Sequence, residues 1–321
     1  MAEAWPELAR RRLLEARDPR GGWGYRVGAE PSSEPTALAG LALLATADPA
    51  RAEDDELRAA ARAAASWLGA RQRPDGAVSL SASLVEPGWA TAHALLLWAA
   101  VGDVGQVGDA PKRALAWLVA QRGKTYPRDT ENPLAHDATI PGWGFVAETH
   151  SWVEPTALAL LALRRHGLAG HARAADALRL LRDRALPTGG WNYGNVSVFG
   201  TTLRAAPGHT GQALLALSGL EGREGLEPDG ERARGAVVFL QRALPEVRTG
   251  VSVGWGVLGL RAWNASSASA AAWLSAAWER ASRRPVAPAS LALLLLAGAP
   301  RGVELLGGRS PRAPEASHGP G

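Results

Sequence analysis

Six times along its 321 residues the chain carries a run of mostly Ala and Leu with almost no polar face, at 36–45, 91–100, 156–165, 210–219, 254–263 and 289–298. A helix that is apolar all round has to be surrounded by protein. Before most of these runs lies a second kind of segment, at 6–17, 56–72, 110–122, 171–185, 231–244 and 268–283, whose apolar positions fall three and four apart with Arg and Glu between them. That spacing describes helices with one wet face. Inner and outer helices therefore alternate along the chain, and an open stack of such pairs would leave the inner layer bare. The pattern predicts an all-α fold, a single α/α toroid (α6/α6 barrel) of about six helical hairpin repeats over residues 1–306.

Two inner runs open with the same words, Ser33-Glu34-Pro35-Thr36-Ala37 and Val153-Glu154-Pro155-Thr156-Ala157. Proline fits the first turn of a helix, where its missing N–H costs nothing, and an acid there suits the positive helix end. The loops between outer and inner helices carry glycine beside an aromatic: Gly22-Trp23-Gly24, Gly142-Trp143-Gly144, Gly190-Trp191 and Gly254-Trp255-Gly256. Glycine permits conformations other residues resist, and Trp supplies a large anchor with one N–H donor. The segments 123–142 and 195–207 are long and irregular, the kind of loop that carries function on a rigid scaffold. Beyond Gly307 the chain is Gly, Ser, Pro and Arg, and 307–321 is expected to be a disordered tail.

The chain is 46% apolar and 21% charged, enough for a large core, and has only three Tyr and three Phe to favour strands. No cysteine is present, which excludes disulfides, thiolate metal sites and a cysteine nucleophile and fits a reducing compartment. Residues 1–20 alternate charge and Leu without the apolar core of a secretion signal, so a cytoplasmic location is expected. No run is long enough to span a bilayer. The net charge is +4, carried mostly by scattered Arg, which argues against a nucleic-acid surface.

The outer helices end in Trp67-Leu68-x-x-Arg71-Gln72-x-Pro74-Asp75-Gly76, Trp117-Leu118-x-x-Gln121-Arg122-Gly123 and Phe239-Leu240-Gln241. With the glycine-aromatic loops that follow, these segments resemble the terpene-cyclase and prenyltransferase superfamily of α/α toroids, which includes squalene–hopene cyclases and protein prenyltransferase β subunits. The resemblance spans almost the whole chain and implies an apolar central cavity that takes an isoprenoid. In squalene–hopene cyclases an inner helix begins Asp-x-Asp-Asp-Thr-Ala, and its middle Asp protonates the polyene. Aligned on Thr-Ala, this chain keeps the middle acid as Glu154, and again as Glu34, and lacks both flanking acids. The prenyltransferase zinc site and the thioester of complement-like toroids both need a cysteine that is absent here.

The candidates for chemistry follow. Glu154 and Glu34 are the possible acids; burial raises a carboxyl pKa and a helix N-terminus lowers it, and each Glu could instead only complement its helix end. Glu86, before Pro87-Gly88-Trp89, is a displaced third version of the feature. Trp152 and Trp89 could face a carbocation by cation–π attraction or simply anchor loops. His93 could line the barrel or be a core histidine, while His150 and His209 stand near the mouth of the cavity. His136, Asp137, His150 and Glu154 have no diagnostic metal spacing, and no metal or cofactor is expected.

Three functions are compatible with these residues. The first is a cyclase-like or prenyl-handling enzyme with Glu154 or Glu34 as acid, which needs an open central cavity. The second is a non-catalytic toroid that binds an apolar ligand or a protein partner. The third is a carbohydrate-active α/α barrel that uses paired carboxylates and Trp platforms. A partner chain or second toroid and peripheral membrane contact are both compatible with the sequence.

Overall fold

Each Glu-Pro-Thr sequence starts a helix, with the acid at the second helical position. The computed structural model describes residues 4–309 except 49, 87, 103, 104, 106, 129–134, 220–228, 267 and 286. The outer helices are α1 (Trp5–Glu15), α3 (Asp55–Gly69), α5 (Ala110–Ala120), α7 (Ala172–Asp183), α9 (Asp229–Ala243) and α11 (Ala270–Ser282). The inner helices are α2 (Ser33–Thr46), α4 (Thr91–Val101), α6 (Val153–Arg165), α8 (Pro207–Leu217), α10 (Gly250–Ala262) and α12 (Pro288–Gly298). A short α13 (Gly302–Leu305) follows, and a hairpin of β1 (Ser197–Val198) and β2 (Thr201–Thr202) stands between α7 and α8.

The inner helices close a ring. Each packs on the next inner helix, α2 on α4, then α6, α8, α10 and α12, and α12 returns to α2. The outer helices lie against this ring, α3 against both α2 and α4 and α11 against both α10 and α12. The chain is thus the all-α toroid that the alternation predicts. It stays packed to the end of the described residues, where the Arg309 N–H donates to Ser218 Oγ at 3.1 Å; the part of the expected tail at 310–321 lies outside them.

A repeated hydrogen-bond lock joins the glycine-tryptophan loops to the inner helices. The backbone N–H of Trp23, Trp143 and Trp191 donates to Oγ1 of Thr36, Thr156 and Thr210 at 2.9, 3.1 and 2.9 Å. In return the carbonyl of each Trp accepts the N–H of the residue four before that threonine, Ser32, Trp152 and Ala206. Each indole N–H reaches back to a leucine carbonyl in the preceding outer helix, of Leu13, Leu118 and Leu181. In the second repeat Val78 replaces the tryptophan and donates to Thr91 Oγ1 at 2.8 Å. These donors and acceptors are buried, so each must be paired. Arg173 adds a further tie: its guanidinium stacks 3.9 Å over Trp143 and donates to the carbonyls of Gln121, Pro141 and Gly142.

One glycine-tryptophan sequence has a different use. Gly254-Trp255-Gly256, expected as a loop, lies inside α10, where Trp255 is buried. Here glycine serves close helix approach, since a Cβ on Gly259 would lie 2.7 Å from the Gly211 Cα of α8. The same pattern codes for a pinned loop in early repeats and for helix contact in this one.

The interior of the ring is packed. Over 36–43 in α2, 91–98 in α4, 156–163 in α6, 210–217 in α8, 253–260 in α10 and 291–297 in α12 every residue is buried, and Leu38, Leu95, Leu158, Leu214, Leu258 and Leu294 have no surface open to water. Burial of such side chains stabilises the fold by roughly 1.5–3 kcal/mol each. Exposure on the inner helices returns in their first turns, at Glu34, Glu154, His209 and Ser252.

Candidate functional site

The first turns of α2, α6 and α8 bring two carboxylates to the open end of the toroid. Neither Glu34 nor Glu154 caps its own helix. The helix ends are tied to the neighbouring loops instead, the Ser33 N–H to Leu80 O at 2.7 Å and the Val153 N–H to Tyr193 O at 2.9 Å. That leaves the carboxylates for side-chain partners. Tyr25 donates to Glu34 Oε2 at 2.6 Å, and Gln212 Nε2 donates to Glu154 Oε1 at 3.1 Å.

Burial outweighs the hydrogen bonds that favour the charged form at both acids. It pushes the Glu34 carboxyl up to about 7, against the opposing Tyr25 hydrogen bond and with added help from the negative charge of Glu154. Burial also raises Glu154, opposed by Gln212. Tyr25 is raised by burial first and then by the charge of Glu34, so its hydroxyl stays protonated and stays a donor. Close to pH 7, Glu34 is therefore divided between acid and carboxylate.

His209 Nε2 lies 3.6 Å from Glu154 Oε2, with 14% of its side chain exposed. That is too long for a hydrogen bond, and burial pulls the imidazole down to about 4, so the pair is a neutral ring beside a carboxyl rather than an ion pair. The Tyr193 ring covers His209 at 4.3 Å, and His150 packs on Trp152 at the same separation. Glu34, Glu154, His209, Tyr25, Gln212 and Tyr193 form one constellation, with His150 and Trp152 at the start of α6 beside it.

The remaining candidates stand elsewhere. Trp89 meets Phe145 and His93 edge to face at 5.8 and 5.7 Å. Trp89 and Phe145 line a pocket of about 260 Å³ with Trp117 and Trp143, between the second and third loops. His93 is fully buried, with no hydrogen-bond partner for either ring nitrogen, and burial pulls it down to about 4. Glu86 is exposed, pairs with Arg73 at 2.5 Å and lines the Trp89 pocket. Among the described residues no three His, Asp or Glu side chains converge as a metal cluster. A larger cavity of about 800 Å³ opens at the opposite rim, lined in part by Trp5, Val257, Leu274 and Leu295, with neither Glu34 nor Glu154 in it.

Sequence reasoning missed Tyr25, Gln212 and Tyr193. Tyr25 and Tyr193 each stand two residues after a loop tryptophan, and Gln212 stands two after the locking Thr210, positions that the repeat could have flagged. Nothing in the sequence tells which acid each would meet.

Ring closure and alternating layers define the class: an α/α toroid of the terpene-cyclase-like fold. The type II terpene cyclase MstE from Scytonema superposes with a TM-score of 0.57 at 21% identity, covering 88% of this chain and 78% of that one. A variant of it in complex with geranylgeranyl dihydroxybenzoate gives the same TM-score at 20% identity and the same coverage. A protein from Actinoplanes matches over 94% of this chain and 99% of its own, with a TM-score of 0.57 and 17% identity. No protein-family model and no curated protein matches the sequence. At these identities the likeness establishes the fold. Among the described residues no helix is long and apolar enough to cross a membrane.

Proposed function

We propose that the protein holds an isoprenoid-like apolar ligand at the open end of the toroid, in the mouth above the packed ring rather than in the open central cavity that the sequence reading required, and presents Glu34 to it as the proton-donating acid, with Glu154 as the second carboxyl. The observation that carries this reading is the pair of carboxyls at one mouth, Glu34 bonded by the Tyr25 hydroxyl and Glu154 by Gln212 with His209 beside it, where burial raises the Glu34 carboxyl to about 7. A carboxyl that is half neutral at working pH is suited to general-acid chemistry. Tyr193 and Trp152 bring aromatic faces to the same end, where a developing cation would be favoured. The fold neighbour MstE, a type II terpene cyclase found with a geranylgeranyl substrate, supports the choice of ligand class. We place the protein in the cytoplasm, on the ground that a cysteine-free chain suits a reducing compartment.

A second reading, a toroid that binds such a ligand without turning it over, is favoured by the packed interior. Among the described residues the Leu and Ala of the inner helices fill the ring below the first turn, so the ligand is confined to the mouth. One experiment separates the two. Purified protein is incubated with geranylgeranyl-bearing arenes, with tryptophan fluorescence reporting binding and mass spectrometry reporting cyclised product. Product that disappears in Glu34→Gln while binding persists supports the acid. Binding with no product in either protein leaves the holder, and no binding by the wild type contradicts both readings.

A further inference from the structure

The ring closes where outer helix α1 meets α11 and α12, and a cavity of about 310 Å³ opens on that seam. Four arginines line it: Arg12 from α1, Arg248 from the stretch before α10, Arg280 from α11 and Arg284 from the turn that follows α11. No Asp or Glu is among the residues that line it. Like charges gathered in one cavity repel one another unless something neutralises them. The acids closest in sequence, Glu15, Glu246 and Glu279, are exposed and pair with none of the four among the described residues. The undescribed position nearest in sequence is Val286, and the undescribed Asp129 and Glu131 precede α6, whose ring neighbours are α4 and α8.

Two of the arginines are held in place and two are not. Arg12 Nη1 donates to the Ser282 carbonyl at 2.8 Å, and its guanidinium lies 5.5 Å over the Trp278 ring. Arg280 Nη2 donates to the Val247 carbonyl at 3.2 Å, while its buried Nε has no acceptor. A buried N–H without an acceptor is unfavourable and marks a place for one. Arg248 and Arg284 are exposed, with no side-chain partner among the described residues, and are free to swing onto a ligand. The starts of two inner helices complete the wall, Thr249 and Gly250 at α10 and Ala287 and Ser290 at α12, and neither helix has a side-chain cap. Uncapped helix N-termini offer N–H groups and partial positive charge to an anion. Guanidiniums arriving from three separate segments suit a tetrahedral, multiply charged oxyanion better than a planar carboxylate.

We propose that this cavity binds a phosphate group, free or esterified, and that the bound anion staples α1 to α11 and to the starts of α10 and α12. The anion neutralises the four cations and stabilises the closed ring by mass action. Neither Glu34 nor Glu154 lines the cavity, so the site does not rest on the proposed function.

The test is isothermal titration calorimetry of the full chain at low salt with inorganic phosphate, glycerol 3-phosphate and succinate, with thermal melts in parallel. The phosphate ligands are expected to bind more tightly than succinate, to raise the melting temperature and to weaken as salt is added. Glycerol 3-phosphate binding tenfold or more tighter than phosphate assigns the site to an esterified group; equal or tighter binding of phosphate assigns it to the free anion. Arg248→Gln and Arg284→Gln remove the two unheld side chains, so each should fold as the wild type does and weaken the phosphate ligands by about tenfold. Arg301→Gln, exposed on the opposite rim, is the control and should bind as the wild type does. Binding of neither phosphate ligand, succinate binding as tightly as both, wild-type affinity with Arg248→Gln and Arg284→Gln combined, or equal loss in Arg301→Gln would overturn the proposal.

Discussion

At the residue scale the decisive contest is between burial and the Tyr25 hydrogen bond at Glu34. The hydrogen bond that Tyr25 donates favours the charged carboxylate; burial opposes it and prevails, with the carboxyl at about 7 against an ordinary 4.5. The sign for stability follows from that direction. The folded state holds the proton more tightly than the unfolded chain, so the contribution is fully present below pH 4.5 and is lost as pH rises to 7. Glu34→Gln is therefore expected to stabilise the protein at pH 8, by on the order of 2–3 kcal/mol, and to have little effect at pH 4; thermal melts at the two pH values check it. If Glu34 is the acid, product formation should also fall as pH passes 7, which a rate profile from pH 6 to 9 reads. Thr156 gives a second test at this scale. Thr156→Val leaves the buried Trp143 N–H without its acceptor and should cost about 1–3 kcal/mol in chemical denaturation, whereas Thr156→Ser restores most of the loss.

At the element scale the toroid is held by repeated devices rather than by one core motif. Contact between α8 and α10 depends on Gly211 and Gly259, where the backbones come within reach of each other. Gly211→Ala is expected to lower stability by about 1–3 kcal/mol or more, because the displaced atom is helix backbone and cannot step aside. Gly208→Ala, one turn earlier, is the matched control: its added methyl meets nothing nearer than 3.6 Å, and it should be neutral or slightly stabilising. The elements themselves were legible, because an apolar run without a wet face and an amphipathic run with one are told apart by spacing alone. Gly254-Trp255-Gly256 was not, because loop and close helix packing both select glycine. Nor were Tyr25 and Gln212 as partners of Glu34 and Glu154, since one pairing depends on how the loop before α2 folds back on it and the other joins neighbouring helices α6 and α8 across fifty-eight positions of sequence.

At the scale of the whole molecule the ring places its chemistry at one end. The expectation of an open central cavity gives way to an interior filled by Leu and Ala, a property of three-dimensional packing that composition and period do not encode. What remains open is a mouth floored by the first turns of the inner helices and rimmed by loops that carry aromatic side chains. The central claim is that this mouth holds a carboxyl able to carry a proton at neutral pH. The most direct measurement is the pH titration of the glutamate carboxyl carbons by NMR in isotope-labelled protein, with Glu34→Gln identifying the Glu34 signal. A Glu34 midpoint of about 7 is predicted. A midpoint at the ordinary value of 4.5 would leave a charged carboxylate at the mouth and contradict the account.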